Sequence, residues 1–374
     1  MADVRPLPGL RYAEPLEPVL APPYDVLSDE QVAQYRARSP HNVVHLTRPG
    51  DDYEGAARLL REWIAAGFLR EESGPRMYVH RTEFEGRTRT DLMAALRLQP
   101  YEDGAVLPHE RTHRGPREDR LALMRATGAS LEPLWFLADE LLPLLEAAPD
   151  GEELAFEFGP ERHTLRAVPA GDWTASVRDT LARAPVLIAD GHHRYETTLA
   201  YSREIGGGAE AASRFTLALL TDVSDPGLVV LPTHRLLKAG VSVIGGEPVG
   251  SLPELLEALR GRVAAGTYRG GEFQVLPLEG EVSVLELHRQ VIDNVLGKRA
   301  PEDYLAYTRD PEEAVDWVDS GDGVAAFFLD KPDLSAVLKV AREGRTLPQK
   351  TTYFDPKPPS GMLFHLLDPG TSLP

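Results

Sequence analysis

The chain has 374 residues, enough to bury a large core in two or three domains, and its 42% hydrophobic and 26% charged content is ordinary for an α/β protein. A net charge of −18 argues against a general grip on DNA, RNA or anionic lipid, and no strong Lys/Arg cluster offsets it. The absence of cysteine excludes thiolate nucleophiles, Cys-ligated zinc and disulfides.

No stretch approaches the roughly 18–20 apolar residues of a membrane span, and the first residues lack a basic segment followed by an apolar one. A cytoplasmic location is therefore expected. Residues 1–28 are proline-rich and expected to be extended, ending in Ala21-Pro-Pro-Tyr-Asp-Val-Leu-Ser28. Ser28-Asp29 should cap a helix from Glu30 to Arg38, and His41 to Thr47 reads as a strand. Tyr53, Ala56, Ala57, Leu60, Ile64 and Phe68 recur at three and four, predicting a helix capped by Asp51 or Asp52 and ending near Gly67. That helix is read as core packing. Arg76 to Phe84 and Thr88 to Gln99 alternate about a Glu85-Gly86 turn, as a hairpin does.

A polar stretch, Leu107 to Pro116, precedes a predicted helix from Arg117 to Thr127 and a strand from Leu134 to Ala138. An acidic helix (Glu140 to Ala148), a hairpin near 152–168 and a helix from Trp173 to Arg183 follow. Phe215 to Thr221 and Leu228 to Leu231 are apolar enough for buried strands. From Gly245 onward, helices (Ser251 to Arg260, Pro311 to Asp319, Asp333 to Arg342) alternate with strands (Phe273 to Leu276, Val324 to Leu329). This pattern predicts a mixed α/β fold in three parts: an N-terminal α/β unit over 1–104, a central core over 105–244 and a C-terminal α/β unit over 245–374.

The central stretch is Pro185 to Ala200. The apolar run Val186 to Ala189 is long enough for one buried strand, Asp190-Gly191 breaks it, and a helix is expected from His193 to about Ile205. The first turn of a helix offers unpaired N–H groups and partial positive charge, which collect anions. His192, His193 and Arg194 crowd that turn, so it reads as a phosphate site. The plainer alternative makes Asp190 a cap, Gly191 a relaxed turn and the histidines solvated.

His109-Glu110-Arg111-Thr112-His113 spells the zinc-protease HExxH, with Glu132 as a tolerable third ligand. Pro108 and Gly115-Pro116 leave room for about two turns of helix with no apolar face, so zinc is not expected here. Glu110 suits a different task. Among histidines and arginines its carboxylate stays ionised and can accept a hydroxyl proton.

The pentapeptide Asp190 to Arg194 resembles the DGHHR signature of the ParB/sulfiredoxin-like nucleotide-binding fold, in particular its free serine kinase branch. That branch carries a similar His-Glu pair, then a helix and a strand, before the DGHHR turn. Here His109-Glu110, the 117–127 helix, the 134–138 strand and Asp190 to Arg194 follow in the same order, with about 45 extra residues (roughly 139–184) between. The whole chain also resembles the domain-of-unknown-function family 1015. The matching pieces are Pro22-Pro-Tyr-Asp25, Asn42-Val-Val-His45, His109-Glu110 with Thr112, Asp119-Arg120, Asp190 to Arg194, Pro232-Thr-His-Arg235 and Pro348 to Phe354.

The resemblance implies a ParB/sulfiredoxin-like core that binds ADP or ATP and transfers a phosphoryl group to a small hydroxyl compound such as free L-serine. Glu110, with His109, would be the base. Gly191, His192, His193 and Arg194 would hold phosphates. Asp190 would cap the loop or help place Mg²⁺. Arg120, Arg235, Lys350 and Lys357 are further candidates for anion contacts. A regulatory nucleotide-binding protein and a phosphate-ester hydrolase are the alternatives, and neither nucleic acid nor membrane is expected as a partner.

Overall fold

Glu85 and Gly86 both adopt positive φ, 46° and 73°, as the tightest right-twisted hairpins require. They join Arg76–Phe84 to Arg87–Arg97, the centre of the larger sheet. The computed structural model describes all residues except 14, 111–114, 240–244 and 298. They form two compact units. The first comprises Met1–Pro108, the segment from the Gly115–Thr127 helix to Leu228, and Pro356–Pro374. The second comprises Val229–Asp355 together with His109 and Glu110.

In the first unit the sheet order is Val106–Leu107, Val186–Asp190, Leu134–Ala138, Phe215–Asp222, Arg87–Arg97, Arg76–Phe84, Glu161–Pro169, Glu152–Phe158. The sheet is mixed: Phe215–Asp222 runs parallel to Leu134–Ala138 and antiparallel to Arg87–Arg97. Phe215–Asp222 is buried along its whole length, as its apolar centre Leu217–Leu220 favours. One face packs Leu92, Phe136, Ile188 and Tyr195 into a common core with the Asp172–Leu181 helix. Strands from 1–104 and 105–244 thus share one sheet, a different grouping from the three-part division expected. The second unit holds an antiparallel sheet in the order Glu247–Val249, Glu272–Pro277, Ala264–Arg269, Ala325–Phe328, His234–Leu237, Leu305–Thr308. Among the described residues, no helix is long and apolar enough to cross a membrane.

Local signals place most helices. Ser28 accepts from Gln31 N–H while the Gln31 side chain returns to Ser28, closing a capping box on Asp29–Arg38. Asp52 caps Tyr53–Ala65, and Asp310 and Asp333 cap the helices that follow them. One expectation fails. His41 to Thr47 is not a strand, because Val44–Thr47 forms a helical turn. The Asn42 amide donates to the carbonyls of Pro18 and Leu20, and its Oδ1 accepts from Val44 N–H. This side chain starts a turn that overrides the β preference of the two valines. Val229–Leu231 is also only half-buried, paired with Tyr353–Asp355 in a two-stranded ribbon.

A polar network runs through the first unit's sheet. His80 Nδ1 lies 3.3 Å from Asp91 Oδ2 and its Nε2 lies 3.1 Å from His163 Nδ1. A neutral His163 ring satisfies its end of this chain, since either ring nitrogen of an imidazole can donate while the other accepts. Burial pushes the His163 imidazole down to about 3 from 6.5, and the charges of His80 and Arg89 act the same way. Burial takes His365, also in this unit, to about 4. A ring that is neutral in the fold but protonates near 6.5 once unfolded makes unfolding take up protons. Its stability contribution is complete above about 6.5 and is lost as pH falls toward 3. The urea midpoint at pH 5 is therefore expected below that at pH 7. Equal midpoints at the two pH values would contradict the neutral assignment.

Candidate functional site

Val186–Asp190 is buried up to its last residue, where Asp190 emerges half-buried. Gly191 then turns the chain with φ 97°, and a Cβ there would meet Leu134 Cδ2 at 2.9 Å. Only glycine suits both demands. His192–Ile205 begins at once, with Gly191 as its N-cap residue. Tyr195 anchors the helix, its hydroxyl donating to Gln99 O and accepting from Gln99 N–H. His192 is buried and His193 half-buried in the first turn.

Arg194 does not project outward. Its Nη2 donates to Asp190 Oδ2 at 2.9 Å and its Nη1 to Pro133 O at 2.9 Å, with Glu132 Oε2 3.9 Å away. Burial disfavours its charge, yet Glu132, Asp190 and Asp25 outweigh burial and raise the guanidinium pKa further. Lys357 Nζ takes the other oxygen of Asp190 at 2.9 Å and lies 3.3 Å from Asp25 Oδ2. Glu132 Oε1 accepts from Tyr24 N–H at 3.0 Å and Ser360 Oγ at 2.6 Å. Arg120 lies over the Tyr24 ring, 4.2 Å from its centroid, and donates to Thr47 O at 2.8 Å. Four separated stretches, around residues 24, 120–132, 190–194 and 357–360, thus converge within the first unit.

Asp25, Glu132 and Ser360 were not expected here. The Pro-Pro-Tyr-Asp motif was visible, but nothing local tells which cation Asp25 meets. The expected placing of Mg²⁺ by Asp190 does not suit this donor set. Both carboxylate oxygens already face cations, and the described residues contain no cluster of three His, Asp or Glu that could hold a metal.

The other candidates belong to the second unit. Glu110 forms a β-bridge with Leu347 and is not helical. Its Oε1 accepts from the N–H groups of Thr351 and Thr352 at 2.8 and 3.3 Å, and its Oε2 from Lys350 N–H at 3.1 Å. Three backbone donors suit an ionised carboxylate. Lys350 is exposed and adopts φ 55° to present those N–H groups. His109 is buried, its Nε2 2.8 Å from Thr352 Oγ1. His113 of the HExxH match lies outside the described residues. The backbone at His109 and Glu110 lacks the helix that motif needs. Arg235 is fully buried and donates to the carbonyls of Thr233, Gln349 and Lys350, while its Nε has no hydrogen-bond partner among the described residues. Burial lowers its pKa to about 10.

Among solved structures, the chain is similar to free serine kinase in complex with AMP. Identity is 16%, 67% of this chain and 84% of that one are covered, and the TM-score is 0.40. A conserved hypothetical protein from Pyrococcus furiosus has 16% identity, 67% and 87% coverage and a TM-score of 0.39. SbnI from Staphylococcus aureus, with a C-terminal truncation, has 12% identity, 70% and 82% coverage and a TM-score of 0.37. No curated protein matches the chain. The model of the protein-of-unknown-function family DUF1015 matches residues 4–269. That stretch carries the Pro-Pro-Tyr-Asp turn, the glycine-started helix and Arg235, so the chain belongs to the DUF1015 family.

Proposed function

We propose that the chain is a nucleotide-dependent phosphotransferase that uses ADP or ATP to phosphorylate a small hydroxyl compound, such as free L-serine. The observation that carries this reading is the glycine-started N-terminus of His192–Ile205. Its Gly191 turn brings His192 and His193 into the first helical turn, with Lys357 on the neighbouring Asp190. Backbone N–H groups and imidazoles there suit phosphate oxygens. The DGHHR sequence resemblance points the same way. In this reading the acceptor oxygen bonds to the terminal phosphorus of the nucleotide and the bridging P–O bond breaks. The nucleotide leaves one phosphate shorter, and the hydroxyl proton passes to a general base, the role that the resemblance implies for Glu110.

Glu110 also supports a regulatory nucleotide-binding protein without turnover, because its carboxylate serves three backbone N–H groups. Mass spectrometry of reactions with ADP or ATP and a pool of small alcohols including serine separates the two. A new phospho-compound is expected from the wild type. Glu110→Gln should lower turnover at least about 100-fold, within the range general-base catalysis contributes, with nucleotide affinity unchanged. Tight nucleotide binding without product would favour the regulator, and absence of nucleotide binding would refute both.

A further inference from the structure

The first unit contains a cavity of about 50 Å³ at the packed helices Gly115–Thr127 and His192–Ile205. At roughly 10–15 Å³ per water-sized position, it encloses about three to five non-hydrogen atoms, far fewer than a nucleoside. Its lining combines apolar side chains, among them Leu123, Met124 and Leu131, with the polar Thr47, Arg120, Glu132 and Arg194.

The polar side chains have unmet demand of both signs. Thr47 is 1% exposed, and its hydroxyl has no hydrogen-bond partner among the described residues. Glu132 is 8% exposed, and among the described residues only its Oε1 accepts hydrogen bonds, from Tyr24 and Ser360. Its Oε2 has Arg194 Nη1 at 3.9 Å, beyond hydrogen-bond reach. The hydrogen bonds of Arg194 go to Asp190 and Pro133 O, those of Arg120 to Asp119 and Thr47 O. Part of each five-donor fork is left over. A buried orphan hydroxyl and an under-bonded carboxylate cost stability unless something supplies their partners.

We infer that this cavity binds the α-amino-carboxylate head of a compact zwitterion. The ammonium donates to Glu132 Oε2, the carboxylate takes the spare N–H groups of Arg120 and Arg194, and Thr47 Oγ bonds to one of them. The head has five non-hydrogen atoms, which the volume accommodates. A free phosphate would set its charge against Glu132, and an apolar ligand would leave every polar group unmet. As a binding site the pocket stands alone; as the acceptor subsite it rests on the phosphotransferase reading.

Calorimetric titration of the whole protein with glycine, L-alanine and L-serine, against ethylamine and propionate, tests it. The amino acids are expected to bind, and the two single-charge analogues at least tenfold more weakly. Glu132→Gln should weaken alanine at least tenfold and leave propionate unchanged. Thr47→Val, which removes only the unpartnered hydroxyl at constant volume, should weaken alanine severalfold while the protein stays folded. No amino-acid binding, or propionate binding as well as alanine, would overturn the inference, as would Thr47→Val binding alanine like wild type. Amino-acid binding without phosphorylated product would sink the phosphotransferase and leave the pocket standing. A phosphorylated alcohol made without amino-acid binding would do the reverse.

Discussion

Arg194→Ala is expected to cost about 3–5 kcal/mol of stability, the range for breaking a buried ion pair by deleting one partner. The side chain of Arg194 is 12% exposed and sits among Asp190, Glu132 and the Pro133 carbonyl. Alanine would remove the cation that both the half-buried Asp190 and the buried Glu132 face, while Lys357 stays on Asp190. Urea titration reads the effect directly, and a midpoint within error of wild type would show that solvent already screens the cluster. Lost nucleotide affinity in Arg194→Ala would accordingly report a collapsed turn. His193, half-buried on the same turn, is the better position for probing phosphate contact.

Asp91→Asn is expected to cost a comparable amount, about 3–5 kcal/mol, from the opposite side of the same logic. Arg89 is completely buried, donates to Asp91 Oδ2 at 3.1 Å and Pro356 O at 2.8 Å, and lies over the Trp135 ring at 4.4 Å. Its Nη2 already lacks a hydrogen-bond partner among the described residues. Burial alone would raise the Asp91 carboxyl; Arg89, His80 and the Thr221 hydroxyl outweigh it and hold the group below the usual carboxylate range. Asparagine keeps the shape and an acceptor but takes away the carboxylate charge to which the buried guanidinium is hydrogen-bonded. The double variant Asp91→Asn with Arg89→Met should recover part of the loss, since it removes both charges. A double variant no more stable than Asp91→Asn would place the cost in packing instead.

Where elements follow from local chemistry, the sequence announced them. The apolar run ending at Asp190-Gly191 became a strand and an αL glycine. Ser28, Asp52 and Asp333 capped the helices they precede. The Asn42 turn was missed because its partners are carbonyls more than twenty residues away. The short strands Ala264–Arg269 and Leu305–Thr308 carry too little alternation to stand out. The site divides in the same way. The glycine, the histidines and the cationic character of Lys357 are visible in one dimension. That Asp190 is its partner across 167 positions, or that Thr47 ends up without one, depends on chain closure that no local pattern encodes.

The chain leaves the first unit at Leu228 and returns to it at Pro356. Lys357, Ser360 and the fully buried Phe364 arrive with that return. During synthesis the roughly 130 intervening residues take about 6–25 s at about 5–20 residues per second. Throughout that interval the nascent first unit holds Asp190 and Glu132 without Lys357 and Ser360, and its surface lacks Phe364. The ribosome must therefore release the chain beyond Phe364 before this half can close. A message cut short before the Pro356 codon would yield a product whose first unit lies open to chaperones and proteases.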